Sequence, residues 1–323
     1  MNYIEVGWRW EVLLGAALRE GLLEAVAEER KDPARLAADL DLDGRAVYTV
    51  MSALAEFGVL DESNEGYRLV EEHRGPLLDV DHPSYAGGRV VHNFELIAKW
   101  ATMPDILHTG EPAEDRTVPD FDGTATMARA MRAGSKESAD EVTGIVLPRL
   151  LRSSKALRIL DVGGGSGANS ESFARSGASV TILDRPEVFE VNGGYFVEAG
   201  IAMVPGDINE GLPEGPFDCV YLGNTSHMYG PEENERLFER MFESLASGGY
   251  VAIREFVRGV ESKGDVPGEA ALFAVNMLVL TSRGATYTTA EYEEWLARAG
   301  FADVEFIPIP GRTTALILAR KPR

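Results

Sequence analysis

Ile159-Leu160-Asp161-Val162-Gly163-Gly164-Gly165-Ser166-Gly167 places a glycine-rich turn directly behind an apolar run. The run from Ala156 to Val162 predicts a buried strand. Gly163, Gly165 and Gly167 let the backbone turn sharply and approach a ligand with no Cβ in the way. About twenty residues further on, a second apolar run, Ser179 to Leu183, ends in Asp184, where a carboxylate can accept from both hydroxyls of a ribose.

As a bare spacing the turn is ambiguous. Gly163, Gly165 and Ala168 also satisfy the dinucleotide fingerprint that cradles a pyrophosphate, and a glycine turn that holds no ligand is a third reading. Asp161 supplies context, because it stands two residues before the first glycine. A carboxylate there repels a pyrophosphate and attracts an ammonium or a sulfonium. S-adenosylmethionine (SAM) carries both cations, so the acid favours SAM over a nicotinamide cofactor.

The chain has 323 residues, 45% of them hydrophobic, which reads as globular and as long enough for two domains. No apolar run reaches the roughly 18 to 20 residues that span a bilayer, and Glu5, Arg9 and Glu11 interrupt the segment where a signal peptide would be apolar. A cytoplasmic protein is expected. The formal charge of −21 argues against nucleic acid and anionic membranes as partners, since both are held by clustered Lys and Arg. Cys219, the one cysteine, lies in the apolar run Phe217 to Leu222 and reads as a buried, inert thiol.

Working outward, residues 1–75 read as helices followed by a short hairpin. Asp32-Pro33 is a helix start, an N-cap acceptor with proline at the first helical position, and Asp43 is a second N-cap. The helix after Asp43 carries Val47, Val50, Met51, Leu54 and Phe57 on one face and ends at Gly58. Val59–Leu60 and Tyr67–Val70 then flank Ser63-Asn64-Glu65-Gly66, completing a winged-helix outline. A DNA-binding regulator is one meaning of that outline. Residues 1–75 hold sixteen Asp and Glu against eight Lys and Arg, however, and the would-be recognition helix offers only Arg45. The first helix instead spreads Val6, Trp8, Trp10, Val12, Leu13, Leu14 and Leu18 too widely for one core face, which a homodimer interface would explain.

Residues 76–152 read as a helical connector broken by Pro83, Pro104, Pro112 and Pro119, in which Met127, Met131 and Ser135 recur at helical spacing. The methionines serve equally as core or as pocket lining. From 153 to 323, strands and helices alternate, implying a parallel sheet with helices on both faces. The expected strands are Leu157–Val162, Ser179–Asp184, Ala202–Pro205, Phe217–Gly223 and Tyr250–Phe256. Val304–Pro308 and Thr314–Arg320 follow as a hairpin that adds an antiparallel strand.

Ligands of such sheets sit beyond the C-terminal strand ends. There the sequence collects Gly163 to Gly167, Asp184, Gly206-Asp207 and Asn224-Thr225-Ser226-His227. Asp207 can accept from an adenine amino group. His227 is the only histidine after residue 108, and Glu255, at the end of the next strand, is placed to hydrogen-bond an imidazole and fix its tautomer.

These segments, with L-D-R-P-E-V, S-H-M-Y-G-P-E-E-N and N-M-L-V-L-T-S-R-G-A-T-Y-T-T-A-E-Y, resemble the SAM-dependent O-methyltransferases that carry an N-terminal winged-helix dimerisation domain. That group includes plant caffeate enzymes and bacterial polyketide, phenazine and anthracycline tailoring enzymes. The resemblance implies a Rossmann-like α/β sheet of seven strands with an antiparallel C-terminal hairpin, SAM as cofactor and S-adenosylhomocysteine (SAH) as its product, a small aromatic or polyketide-like acceptor, and a homodimer. It makes His227 the general base and Glu255 its support. It gives Asp184, with Arg185 beside it, to the ribose, and Asp207 and Ile208 to the adenine. It also places Asn224 beside the cofactor and Met131, Asn276 and Met277 at the acceptor, to which the helical spacing adds Met127. No metal is assigned. Where plant members have a second glutamate beside the histidine, this chain offers Thr286. Carbon or nitrogen methylation, or SAM-dependent chemistry that transfers no methyl group, fits the same pattern.

Overall fold

A computed structural model describes residues 3–82, 84–112, 123–150, 157–260 and 268–323, with backbone alone at 3–6, 123–130 and 133–134. The chain forms two compact units, Met1–Ala101 with Phe121–Gly134, and Thr102–Asp120 with Ser135–Arg323. Among the described residues no helix is long and apolar enough to cross a membrane.

The first unit runs α1 (Tyr3–Arg19), α2 (Leu22–Ala25), α3 (Pro33–Asp39), α4 (Gly44–Glu56), β1 (Leu60–Ser63), β2 (Gly66–Leu69), α5 (Glu71–Leu78) and α6 (Gly87–Trp100). Both expected caps form. Asp32 accepts from the Ala34 and Arg35 amides at 2.9 and 3.2 Å, and Asp43 accepts from the Ala46 amide at 2.9 Å. The wing is antiparallel, pairing Leu60 with Leu69 and Ser63 with Gly66. Leu14, Leu18, Leu23, Leu36, Val47, Met51, Leu54 and Tyr67 make the core. Phe57 departs from the face assigned to it. The helix ends at Glu56, so Phe57 caps it, stays 45% exposed and packs on Trp10 with ring centroids 4.8 Å apart.

The second unit begins with α7 (Met103–Thr109), and the long α8 (Gly123–Leu150) enters it at Ser135. Then come β3 (Arg158–Val162), α9 (Ala168–Arg175), β4 (Ser179–Asp184), α10 (Pro186–Glu198), β5 (Ala202–Pro205), β6 (Phe217–Gly223) and α11 (Pro231–Ser244). The chain continues with β7 (Leu245–Glu255), β8 (Val257–Arg258), α12 (Glu269–Leu280), β9 (Tyr287–Thr288), α13 (Thr289–Arg298), β10 (Ala302–Pro308) and β11 (Ala315–Arg320). Seven strands form one sheet in the order β10-β11-β7-β6-β3-β4-β5, with β11 antiparallel to both its neighbours. Leu237, Phe238 and Met241 of α11 and Tyr292, Trp295 and Leu296 of α13 cover one face. Val142 and Val146 of α8, Phe173 of α9 and Phe196 of α10 cover the other. β7 starts five residues before the expected Tyr250, because its ladder with β6 continues through a register shift that absorbs Ser247-Gly248-Gly249. Read locally, those residues are a turn.

Candidate active site

The parallel strands bring their C-terminal ends to one edge of the sheet: β3 before Gly163, β4 at Asp184, β5 before Gly206, β6 before Asn224 and β7 at Glu255. From β3 the chain builds β4 and β5 on one side and β6 and β7 on the other. The switch of direction therefore lies between β3 and β6, where open α/β sheets receive ligands.

Gly163, Gly165 and Gly167 have φ of 65°, 54° and 73°, the left-handed region that a side chain disfavours. Asp184 ties this loop to the end of β4: its Oδ2 accepts from the Gly165 amide at 2.7 Å and its Oδ1 from the Arg185 amide at 2.8 Å. Burial holds the Asp184 carboxyl pKa above its ordinary value, and those two amides offset only part of the rise. Each carboxylate oxygen keeps a further lone pair, so the group can still accept from hydroxyls. Asn192 of α10, wholly buried, donates to the Gly165 carbonyl at 3.1 Å. Sequence reading missed Asn192, since nothing in the pattern of α10 marks one asparagine as a loop anchor.

Asp161 is more enclosed than an electrostatic partner read from sequence would be. It is 1% exposed; Oδ2 accepts from the Ser170 hydroxyl at 2.6 Å, and Oδ1 is buried with no partner among the described residues. Burial, partly offset by Ser170 and reinforced by the charge of Asp184, pushes its pKa up to about 7. A neighbouring cation would return it to the anion. Asp207 is exposed and accepts from the Asn209 amide at 2.7 Å, Ile208 is buried beside it, and Arg185 is exposed at the start of α10. Asn224 holds a positive φ of 51°, and its enclosed Oδ1 has no partner among the described residues.

His227 sits in a single 3-10 turn, Ser226–Met228, after β6. It is 7% exposed, and its Nδ1 lies 2.9 Å from Oε2 of Glu255, which is fully buried. The same oxygen accepts from the Phe256 amide at 3.2 Å. With Glu255 Oε2 as acceptor, Nδ1 is the donor, and an imidazole in that tautomer presents its lone pair at Nε2. Thr286 does not join this pair: it is 1% exposed and donates to the Ala270 carbonyl at 2.9 Å.

Three supports of His227 were invisible in the sequence. Phe273 meets the imidazole edge-on at 5.0 Å and stacks on Phe256 at 3.8 Å. Tyr292 donates to the Ser226 hydroxyl at 3.1 Å, which donates to Asn234 Oδ1 at 2.8 Å. The Asn234 amide donates in turn to the carbonyls of Ser226, Tyr229 and Gly230, which pins the turn. Asn276 is half-buried and Met277 is 2% exposed, both on α12, while Met131 is 46% exposed in the first unit. The Met127 side chain lies outside the described residues.

The O-methyltransferase domain model matches residues 118–302. The 3-hydroxy-5-methyl-1-naphthoate 3-O-methyltransferase of Streptomyces sahachiroi is 30% identical over 317 residues, covering 93% of this chain and 88% of that protein. The L-tyrosine C(3)-methyltransferase of Streptomyces lavendulae is 33% identical over 195 residues, 57% of this chain and 52% of that protein. The solved structure of PigF with SAH is 25% identical, with a TM-score of 0.75 and coverage of 99% of this chain and 98% of that one.

Proposed function

The chain belongs to the O-methyltransferase domain family, and from that premise we propose that it transfers the methyl group of SAM to a hydroxyl of an aromatic or polyketide-like small molecule, with His227 as general base. The observation that carries this reading is the buried His227–Glu255 pair at 2.9 Å, set at the strand edge that also bears the glycine loop and Asp184.

The residues at that edge fit SAM. Asp161 Oδ1 and Asn224 Oδ1 are enclosed acceptors without partners among the described residues, suited to the N–H groups of a polar ligand. Asp184 would hold the ribose, Asp207 and Ile208 the adenine, and the left-handed glycines would let the backbone approach. When bound, SAM supplies a methyl group made electrophilic by its sulfonium.

His227 does the proton work. Its Nε2 takes the acceptor's hydroxyl proton, while Nδ1–H stays on Glu255, whose carboxylate stabilises the imidazolium. Asn276 and Met277 are the α12 residues assigned to the acceptor. Holding both reactants in line is worth about 7 to 11 kcal/mol, and the base adds about 10² to 10⁴ in rate.

His227→Ala is expected to cut methyl transfer by about 10² to 10⁴ with SAH affinity nearly unchanged, measured on an acceptor whose pKa exceeds the assay pH. Full turnover in that variant would make the histidine structural. The similarity to an L-tyrosine C(3)-methyltransferase favours carbon methylation as the second reading. Product NMR separates the two, since O-methylation creates a methoxy group.

A further inference from the structure

Two polar residues near the strand edge, Tyr221 and Arg254, have no role in the scheme above. They lie on the sheet face covered by α8, where Tyr221 and Ala252 pack with Val142 and Val146. The register pairs Asp161 with Tyr221, Tyr221 with Ala252, and Gly223 with Arg254. Directly paired residues of neighbouring strands project from the same face about 4.8 Å apart. Asp161, Tyr221 and Ala252 therefore form one row, and Gly223 and Arg254 form the next row toward the ligand edge.

Glycine at 223 leaves its place in the upper row open, and the Tyr221 hydroxyl rises into it. A Cβ built on Gly223 would lie 2.8 Å from that hydroxyl. Tyr221 is 1% exposed, and its hydroxyl is buried with no partner among the described residues. Beside it, Arg254 donates Nη1 to the Ser138 hydroxyl at 2.6 Å and Nε to the Thr314 hydroxyl at 3.0 Å. Both acceptors are neutral, and no carboxylate of the described residues lies within ion-pair distance of the guanidinium. A half-buried cation and a buried phenol, each short of an acceptor, are costly unless a ligand supplies one. Burial raises the Tyr221 phenol pKa, and the charge of Arg254 opposes that rise, consistent with their closeness. In the row beneath, toward the glycine loop, Asp161 offers an unpartnered acceptor. Cation and hydroxyl on one side and carboxyl on the other complement a zwitterionic amino-acid head.

We propose that Arg254 and Tyr221 bind the carboxylate of the methionine end of SAM. The inference rests on the cofactor assignment made above, and it adds two residues that act on affinity and placement of the cofactor and take no part in proton transfer. Arg254 offers its remaining guanidinium N–H groups, and Tyr221 donates its O–H; a carboxylate accepts both.

Calorimetric titration of SAH and of 5′-methylthioadenosine, which keeps the nucleoside and lacks the amino-acid end, tests this. Wild type should bind both. Arg254→Met should weaken SAH about tenfold to a hundredfold, and Tyr221→Phe about threefold to tenfold, with 5′-methylthioadenosine affinity unchanged in both. Because Arg254 also bridges α8 to the sheet, Tyr221→Phe serves as the isosteric control: SAH weakened with 5′-methylthioadenosine untouched supports the proposal in either variant. Unchanged SAH affinity in both variants would overturn it and leave Arg254 to an acceptor carboxylate or to structure. Equal loss for the two ligands would also overturn it. Wild type that binds neither ligand would overturn the cofactor assignment itself.

Discussion

Glu255 pairs with His227 and Thr286 does not, so the two can be tested singly. Thr286 holds a backbone carbonyl of α12, so Thr286→Ala should change methyl transfer least, whereas Glu255→Gln should slow it measurably but by less than His227→Ala. Steady-state rates on a weakly acidic phenol rank the three, and a Thr286→Ala defect as large as that of His227→Ala would break the assignment. Asp161 carries a pH signature of its own. With a folded-state pKa of about 7 against an ordinary value near 4, it binds a proton in the folded chain that the unfolded chain has released. The folded state is therefore favoured fully below pH ~4, loses stability as pH rises to ~7, and then levels off, at a cost of up to about 4 kcal/mol. Asp161→Asn removes the cost. Melting of ligand-free protein should show the variant gaining on wild type at pH ~8, losing most of that lead by pH ~5 and the rest below pH ~4. A gap that does not depend on pH would sink this account.

Two turns decide whether the elements deliver their residues. A Cβ at Gly167 would lie 2.0 Å from the Phe196 ring, at a φ of 73°, so Gly167→Ala should destabilise by about 2 to 3 kcal/mol and weaken SAH binding. A Cβ at Gly284 would lie 2.4 Å from the His227 carbonyl, which also accepts from the Ala285 amide. Gly284→Ala should therefore lower methyl transfer at least tenfold while SAH affinity holds, because it displaces the base and leaves the glycine loop alone. Equal loss of binding and turnover would argue against that separation. The strands were legible where an apolar run met a turn signal, as at Val162-Gly163 and Leu183-Asp184. The start of β7 was not, because Ser247-Gly248-Gly249 reads locally as a stop and only pairing with β6 carries the strand through it. Nor were Asn192, Asn234, Tyr292 and Phe273, whose partners lie up to 66 residues away in sequence. Phe57 fitted the apolar spacing of α4 but fell beyond its last turn, where period ceases to predict burial.

At the scale of the whole molecule, Trp8, Tyr48 and Phe57 are 58%, 57% and 45% exposed, all within the first unit. Exposed aromatics on a chain of net charge −21 are costly in water unless a partner covers them. A homodimer through this unit is the expected arrangement. Light scattering at micromolar concentration should return twice the chain mass, and removal of residues 1–20 should give monomer or aggregate; a soluble full-length monomer would contradict this. The enclosed thiol of Cys219 has a practical consequence. It is the chain's one cysteine, has no solvent exposure, and burial lifts its pKa well above the ordinary range. Thiol-directed dyes should therefore leave the native protein unlabelled. A single cysteine introduced at Leu272, 58% exposed on α12, becomes the sole attachment point for a fluorophore. Acceptor arrival at that helix could then be followed by fluorescence without first stripping the chain of competing thiols.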